Sequence, residues 1–299
     1  MEYHNSVLLI DSIDALAIKK DGVYIDVTFG GGGHSREILN RLGDSGKLIA
    51  FDQDPDAKRN KIQDKRFVLI EENFRYISRF LKFYGVKRVD GILADLGVSS
   101  HQFDEVERGF SIRFDGELDM RMNKNSKVSA KKIINTYSEQ KLANILFIYG
   151  ELRNARAIAR TIVEGRSEGV IETSFQLRKL LQKYLPKAKE HKILAQVFQA
   201  IRIEVNEELE VLKEFLIQTP DLLKPEGRLS IISYHSLEDR LVKRFIRTGL
   251  FDGEPEKDFF GNIDVPLVKL GKLIIPNQEE IRKNNRARSA KLRVAKLKT

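Results

Sequence analysis

Four consecutive glycines, Gly30 to Gly33, stand between the short apolar run Val23-Tyr24-Ile25-Asp26-Val27 and the helix-compatible stretch Arg36 to Leu42, and they constrain this chain more than any other feature. A strand that breaks into glycines and re-forms as a helix brings bare backbone close to a ligand and aims the first helical N–H groups at it. Three further apolar strands follow: Lys47 to Phe51, ending on Asp52; Arg66 to Ile70, ending near Glu71-Glu72-Asn73-Phe74; and Val89 to Ala94, ending on Asp95. Strands separated by helical stretches of this length predict an α/β fold, with a parallel sheet covered by helices on both faces. From about Asp104 to about Ala195 no comparable strand occurs, and the stretch reads as loop followed by helices. Strand character returns at Gly227 to Ser233, led in by the turn-like Lys224-Pro225-Glu226-Gly227. Phe198, Ile201, Val205, Leu209, Leu212 and Leu216 recur at helical spacing and predict a helix packed back on the sheet. The expected organisation is a core of residues 1–104 and 196–299 interrupted by an inserted helical domain at 105–195.

Asp52 closes the strand after the glycine loop, where a carboxylate can accept hydrogen bonds from two ribose hydroxyls. An adenosine-type ligand is therefore expected, and the spacing leaves a dinucleotide and S-adenosylmethionine both open. Ser35, where a third glycine or alanine would complete the dinucleotide fingerprint, weighs against the former. Asp95-Leu96-Gly97-Val98-Ser99-Ser100-His101-Gln102 then places a carboxylate, hydroxyls, an imidazole and an amide beyond the end of a central strand, where open α/β sheets bind ligands. Such acceptors suit an exocyclic amine better than a nicotinamide. Each of them could instead cap a helix or make a turn.

Composition narrows the chemistry. With no cysteine, the chain has no disulfide, thiolate metal site or cysteine nucleophile. His4, His34, His101, His191 and His235 are scattered, without a metal-binding spacing, so no metal is expected. No apolar run approaches the ~18 residues of a membrane span, and the start, Met1 to Ile10, lacks a signal-peptide pattern; a cytoplasmic location without a membrane partner is expected. The net charge is +9, and the eight cations Arg282, Lys283, Arg286, Arg288, Lys291, Arg293, Lys296 and Lys298 carry most of it. A basic segment of this kind suits a polyanion such as RNA, or is simply a solvated tail.

Longer blocks carry a family resemblance. Val7-Leu8-Leu9, Tyr24 to Gly30 with Gly32 to Ser35, Asp95 to Ser100, Arg108 to Ser111, Asp115 to Met122, Phe198 to Arg202, Gly227 to Arg240 and Arg286 to Ser289 together resemble the bacterial ribosomal RNA small-subunit methyltransferase H family, also called MraW. The resemblance implies a Rossmann-like S-adenosylmethionine-dependent methyltransferase core with an inserted helical substrate-recognition domain. It also implies methylation at N4 of a cytidine in the decoding region of small-subunit (16S) ribosomal RNA. The expected partner is that RNA, within the assembled small subunit. Carried over by position, the cofactor contacts fall on Gly32, Gly33, His34, Asp52, Phe74, Asp95 and Gln102, with Phe74 against the adenine. The chain departs from the family pattern at Lys192, Gln196, Ile112 and Asn285, none of them in the glycine loop.

For such a reaction Asp95 and Ser99 are the candidate catalytic acceptors for the amine hydrogens, and Tyr234 and His235 are candidates to hold an extruded base. Arg153, Arg156 and Arg160 form a candidate RNA-binding stripe on one side of a helix whose other side is Ala155, Ile158, Ala159 and Ile162. The competing readings are a nicotinamide-dependent oxidoreductase and a non-catalytic RNA-binding protein.

Overall fold

A computed structural model describes residues 6–298; His4 lies outside the described residues. The chain divides into two compact units, one running to Gly97 and resuming at Leu209, the other being Val98–Glu208. The first boundary falls before residue 105 and the second beyond residue 195.

The first unit is built on a seven-stranded sheet. Its elements in chain order are α1 (Leu9–Leu16), β1 (Val23–Asp26), α2 (Gly33–Arg41), β2 (Lys47–Phe51), β3 (Phe67–Ile70), α3 (Ile77–Phe83) and β4 (Val89–Asp95). After the second unit come α10 (Glu208–Leu222), β5 (Leu223–Ser233), α11 (Ser236–Thr248), β6 (Leu267–Ile274), α12 (Gln278–Lys283) and β7 (Lys291–Leu297). The strand order is β3-β2-β1-β4-β5-β7-β6, with β1 to β5 parallel and β7 antiparallel to both its neighbours. Alternation along each strand sorts the core into two layers. Ile25, Ile49, Phe51 and Ile92 face one layer with Leu81, Phe215 and Phe245 of α3, α10 and α11. Tyr24, Leu48, Ala50 and Leu93 face the other with Leu16 and Ile38 of α1 and α2. The order reverses between β1 and β4, and the carboxyl ends of that pair form the crevice in which such sheets place ligands.

Two features of this unit differ from the sequence reading. The turn at Lys224 to Gly227 lies inside β5 as a bulge: pairing jumps from Val89 with Leu223 to Gly91 with Arg228, and Glu226 sits at φ 63°. The basic C-terminal segment is no tail. Its Lys291–Leu297 part is β7, whose Leu292, Val294 and Ala295 are buried and whose Arg293 and Lys291 clasp Asp239 at 2.7 and 3.3 Å. The apolar residues of this strand serve both faces of the sheet, Leu292 and Val294 in one cluster and Ala295 in another, while the cations between them make the segment read as charge in a sequence count.

The second unit is helical: α4 (Ser100–Asp104), α5 (Ala130–Thr136), α6 (Glu139–Ile148), α7 (Ala155–Glu168), α8 (Ser174–Leu180) and α9 (Glu190–Asn206). Among its described residues the one isolated β-bridge pairs Glu117 with Thr173. Its core gathers Leu142, Leu146, Ile158, Ile162, Leu194, Val197 and Ile201. The apolar series from Phe198 to Leu216 thus belongs to two helices and two cores. Phe198, Ile201 and Val205 bury inside the helical unit, while Leu212 and Leu216 pack on the sheet. Glu207, at φ 51°, breaks the helix without a glycine or proline to announce it, and Asn206 is pinned by bonds to the backbone of Met120 and Met122 at 2.8 and 2.7 Å.

Candidate functional site

The glycine loop is shaped by its own backbone. Gly30 and Gly32 take φ of 49° and 76°, and a Cβ on Gly32 would press on Phe29 at 2.9 Å. A Cβ on Gly33, the first residue of α2, would collide with the Ser6 hydroxyl. Gly31 faces open space. Two side chains that the sequence did not single out hold the loop's outward carbonyls: Asn60 donates to Gly30 O at 3.0 Å and Arg36 to Gly31 O at 2.7 Å.

Asp52 reaches this loop from the end of β2. Its Oδ2 accepts from Gly30 N at 2.7 Å and its Oδ1 from Asp54 N at 2.8 Å. Each oxygen keeps a lone pair for a further donor. Burial pushes this carboxyl up to about 6, against the pull of those two N–H groups. Beside it, Gln53 accepts from Asn73 at 2.8 Å. Phe74, the next residue after Asn73, stands edge-on to Phe215 with centroids 5.3 Å apart and remains partly exposed.

At the end of β4, Thr28 ties the backbone of Asp95 to the carboxylate of Asp26. Asp95 N donates to the Thr28 hydroxyl at 2.6 Å, and Thr28 N donates to Asp26 Oδ1 at 3.1 Å. Asp26 is fully buried and also accepts from Ser35 Oγ at 2.7 Å, which explains a serine at the position where a dinucleotide site would carry glycine. Tyr234 donates its hydroxyl proton to Asp95 Oδ1 at 2.8 Å. His34 Nδ1 lies 3.8 Å from Asp95 Oδ2, while its Nε2 lies 3.2 Å from the Val7 carbonyl. A carbonyl can only accept, so Nε2 carries a proton and Nδ1 is the basic atom turned toward Asp95. Burial lifts the Asp95 carboxyl to about 6, while the neighbouring His34 and the Tyr234 hydroxyl draw it down. Burial, reinforced by the adjacent Asp95 charge, sends the Tyr234 phenol well above its usual range.

Gly32, Gly33, His34, Asp52, Phe74, Asp95 and Tyr234 thus come together at the carboxyl ends of β1, β2, β3, β4 and β5. His235 takes a different part: its Nδ1 accepts from Glu238 N at 3.4 Å as the N-cap of α11, with Nε2 3.2 Å from the Glu238 carboxylate. Ser99 and Gln102 belong to the helical unit and serve each other in a capping box, Gln102 N on Ser99 Oγ at 3.2 Å and Ser99 N on Gln102 Oε1 at 3.0 Å. The turn-or-cap alternative holds for that hydroxyl. Arg156 and Arg160 lie on the exposed side of α7, opposite buried Ala155, Ile158, Ala159 and Ile162, but Arg153 lies in the turn before the helix and Arg160 is 3.7 Å from Glu139. Gln196, a departure from the family pattern, donates to Gly150 O at 2.9 Å inside the helical unit.

Asp26, Thr28 and Val7 organise the site without having been recognised as part of it. Asp26, an acid in an apolar strand ahead of glycines, was a legible signal; nothing marked Asn60 or Arg36.

A family model described as the MraW methylase family matches residues 1–298. A protein of Christiangramia forsetii named ribosomal RNA small subunit methyltransferase H is 67% identical over 296 residues, covering 99% of this chain and 98% of its own. Proteins of the same name from Flavobacterium johnsoniae and Bacteroides fragilis are 64% and 53% identical, each covering 99% of this chain and 98% of its own length. No helix among the described residues is long and apolar enough to cross a membrane.

Proposed function

The chain belongs to the MraW methylase family, and from that premise we propose that it methylates N4 of a cytidine in the decoding region of small-subunit ribosomal RNA, with S-adenosylmethionine as methyl donor. The observation that carries the reading is the pairing of two carboxylates around one glycine loop: Asp52, whose Oδ2 accepts from Gly30 N, and Asp95, whose backbone N–H donates to the Thr28 hydroxyl and whose carboxylate lies beside His34.

The residues fit the cofactor. Asp52 offers two oxygens for vicinal ribose hydroxyls, Phe74 a partly exposed ring for an adenine, and Gly31 a stretch of backbone with nothing in front of it. When bound, S-adenosylmethionine supplies an electrophilic methyl group on a sulfonium. Asp95 is placed for the other half of the chemistry. An exocyclic amine attacks through a lone pair delocalised into its ring, and a carboxylate accepting one amine hydrogen favours the localised form. The amine must then shed that proton, and Asp95 Oδ2, the oxygen not occupied by Tyr234, can take it. With Nδ1 protonated as well as Nε2 the His34 ring is a cation, and it is in that form that it favours the ionised Asp95 before the step.

Attack at a ring carbon of cytosine would ordinarily use a cysteine adduct, which this chain cannot form. Nucleoside mass spectrometry of small subunits treated with the enzyme and S-adenosylmethionine tests the reading, and N4-methylcytidine is the expected product. Recovery of only 5-methylcytidine or a ribose-methylated nucleoside would overturn it.

A further inference from the structure

The segment closing α3 combines exposed cations with exposed aromatic rings. Arg79, Lys82, Lys87 and Arg88 are all exposed, no acid occurs between Arg75 and Val89, and none of the four has an ion-pair partner among the described residues. Several cations elsewhere in the same unit are neutralised, as Arg41 is by Asp14 and Glu37, Lys58 by Glu71, Arg66 by Asp64 and Lys224 by Asp90. Two aromatic rings lie among these free charges. Phe83 is 80% exposed and Tyr84 44%, their ring centroids 5.3 Å apart and their planes at 87°.

The backbone presents these groups rigidly. Ile77 and Leu81 anchor one side of α3 in the core, which turns Arg79, Lys82 and Phe83 to the other side, three and four residues apart. The helix ends on Gly85 at φ 69°, with Val86 N bonded to Leu81 O at 2.9 Å and Gly85 N to Lys82 O at 3.1 Å. That doubly bonded end fixes the backbone beneath Phe83 and Tyr84 and leads straight into Lys87 and Arg88. Cations near a helix carboxyl end are favourable for the helix itself, but that benefit asks nothing of an exposed phenylalanine. Unpaired cations with solvent-facing rings between them are what a flexible polyanion of stackable bases recognises.

We propose that Arg79–Arg88 is a second RNA-contact surface, on which an unpaired nucleotide stacks against Phe83 while Lys82, Lys87 and Arg88 neutralise the flanking phosphates. It rests on the reading that ribosomal RNA is the substrate. The surface adjoins the amino end of β4, whereas Asp95 closes the carboxyl end; at about 3.3 Å per residue the two are roughly 20 Å apart. The nucleotide held here is therefore not the one methylated, and the contact docks the RNA without touching the chemistry.

The test uses the full chain and a fluorescein-labelled oligouridylate, which contains no cytosine and so no methyl acceptor, followed by anisotropy across a salt series. Phe83→Ala weakens binding roughly five- to a hundredfold and Phe83→Trp restores it. Replacing Lys82, Lys87 and Arg88 with glutamine lowers the log–log salt slope by about 0.7 for each lost phosphate contact. With small subunits as substrate, Phe83→Ala raises KM and leaves kcat unchanged. Unaltered oligouridylate affinity in a folded Phe83→Ala protein, or a loss that tryptophan does not restore, overturns the proposal. Unaltered oligouridylate binding combined with a raised KM on intact subunits overturns it in favour of a protein ligand. Should the wild type transfer no methyl group to ribosomal RNA, the assay of nucleosides fails while the oligouridylate titration still reads this surface, so the two failures are separable.

Discussion

The most consequential residues are carboxylates held where water is scarce. Asp52 shows how the same burial acts oppositely on binding and on stability. Its native proton is held more tightly than the unfolded chain's, whose carboxyl sits near 3.8, so the stability tied to this group is present below that value and is lost as pH rises through about 6. Asp52→Asn removes the titration. Chemical denaturation followed at several pH values should show the variant gaining on the wild type between about pH 4 and pH 6, by ~1–2 kcal/mol once residual solvent contact is allowed for. Cofactor binding should move the other way. Asp52→Ala should cost roughly 1.5 to 3 kcal/mol of S-adenosylmethionine affinity through loss of charge-assisted bonds, and wild-type affinity should decline as pH falls through about 6; calorimetry finding neither would remove Asp52 from the site. Asp52, Gly32 and Gly33 were legible because a strand end and a glycine run have few other uses. The linkage from Asp95 to His34 was not, since it depends on where the Val7 carbonyl lies, and no spacing rule connects Val7 to the glycine loop.

Elements were readable to the degree that their pattern was local. β1, β2, β3 and β4 announced themselves as apolar runs ending on Asp26, Phe51, Ile70 and Asp95. α9 and α10 could not be separated, because the apolar phase continues across Glu207 and only its left-handed backbone divides them. β6 and β7 were missed for another reason: cations interleave with their apolar residues, and the adjacent Ala295 and Lys296 shift the phase of β7, so no regular period of two shows in the sequence. The block Gly227 to Arg240 looks like a catalytic signature, and the structure shows several distinct duties within it. Ser230 bonds Ser12 O at 3.1 Å, Tyr234 holds Asp95, Glu238 accepts from Tyr234 N at 2.9 Å, and Asp239 clasps β7. At α7 and the turn before it, replacing Arg153, Arg156 and Arg160 with glutamine should weaken RNA binding and flatten its salt dependence, each lost contact reducing the slope by about 0.7 to 0.9. Arg153 and Arg156 should account for most of that change, since Arg160 already faces Glu139. Parallel salt lines for the wild type and the triple variant would mean that these arginines only solvate the helix.

At the scale of the whole molecule, the two units differ in how their chain is supplied. The helical unit is one uninterrupted stretch, whereas the sheet unit is assembled from segments on either side of it. Within the sheet, β7 lies between β5 and β6, although it is made after both. A ribosome emitting this chain therefore releases β5 with one edge unpaired and β6 with no neighbour in the sheet, and both wait for Lys291–Leu297. Nascent chains stalled before Lys291 should have a protease-resistant Val98–Glu208 region and a sensitive sheet unit, and adding residues through Leu297 should close the second in one step; equal protection of both regions before Lys291 would contradict this order. Quality control during synthesis then has a simple point of decision: a product cut short by a premature stop before Lys291 bears an open β-sheet edge, the feature that drives aggregation and marks a chain for degradation, even though the candidate site residues, the last of them His235, have already been made.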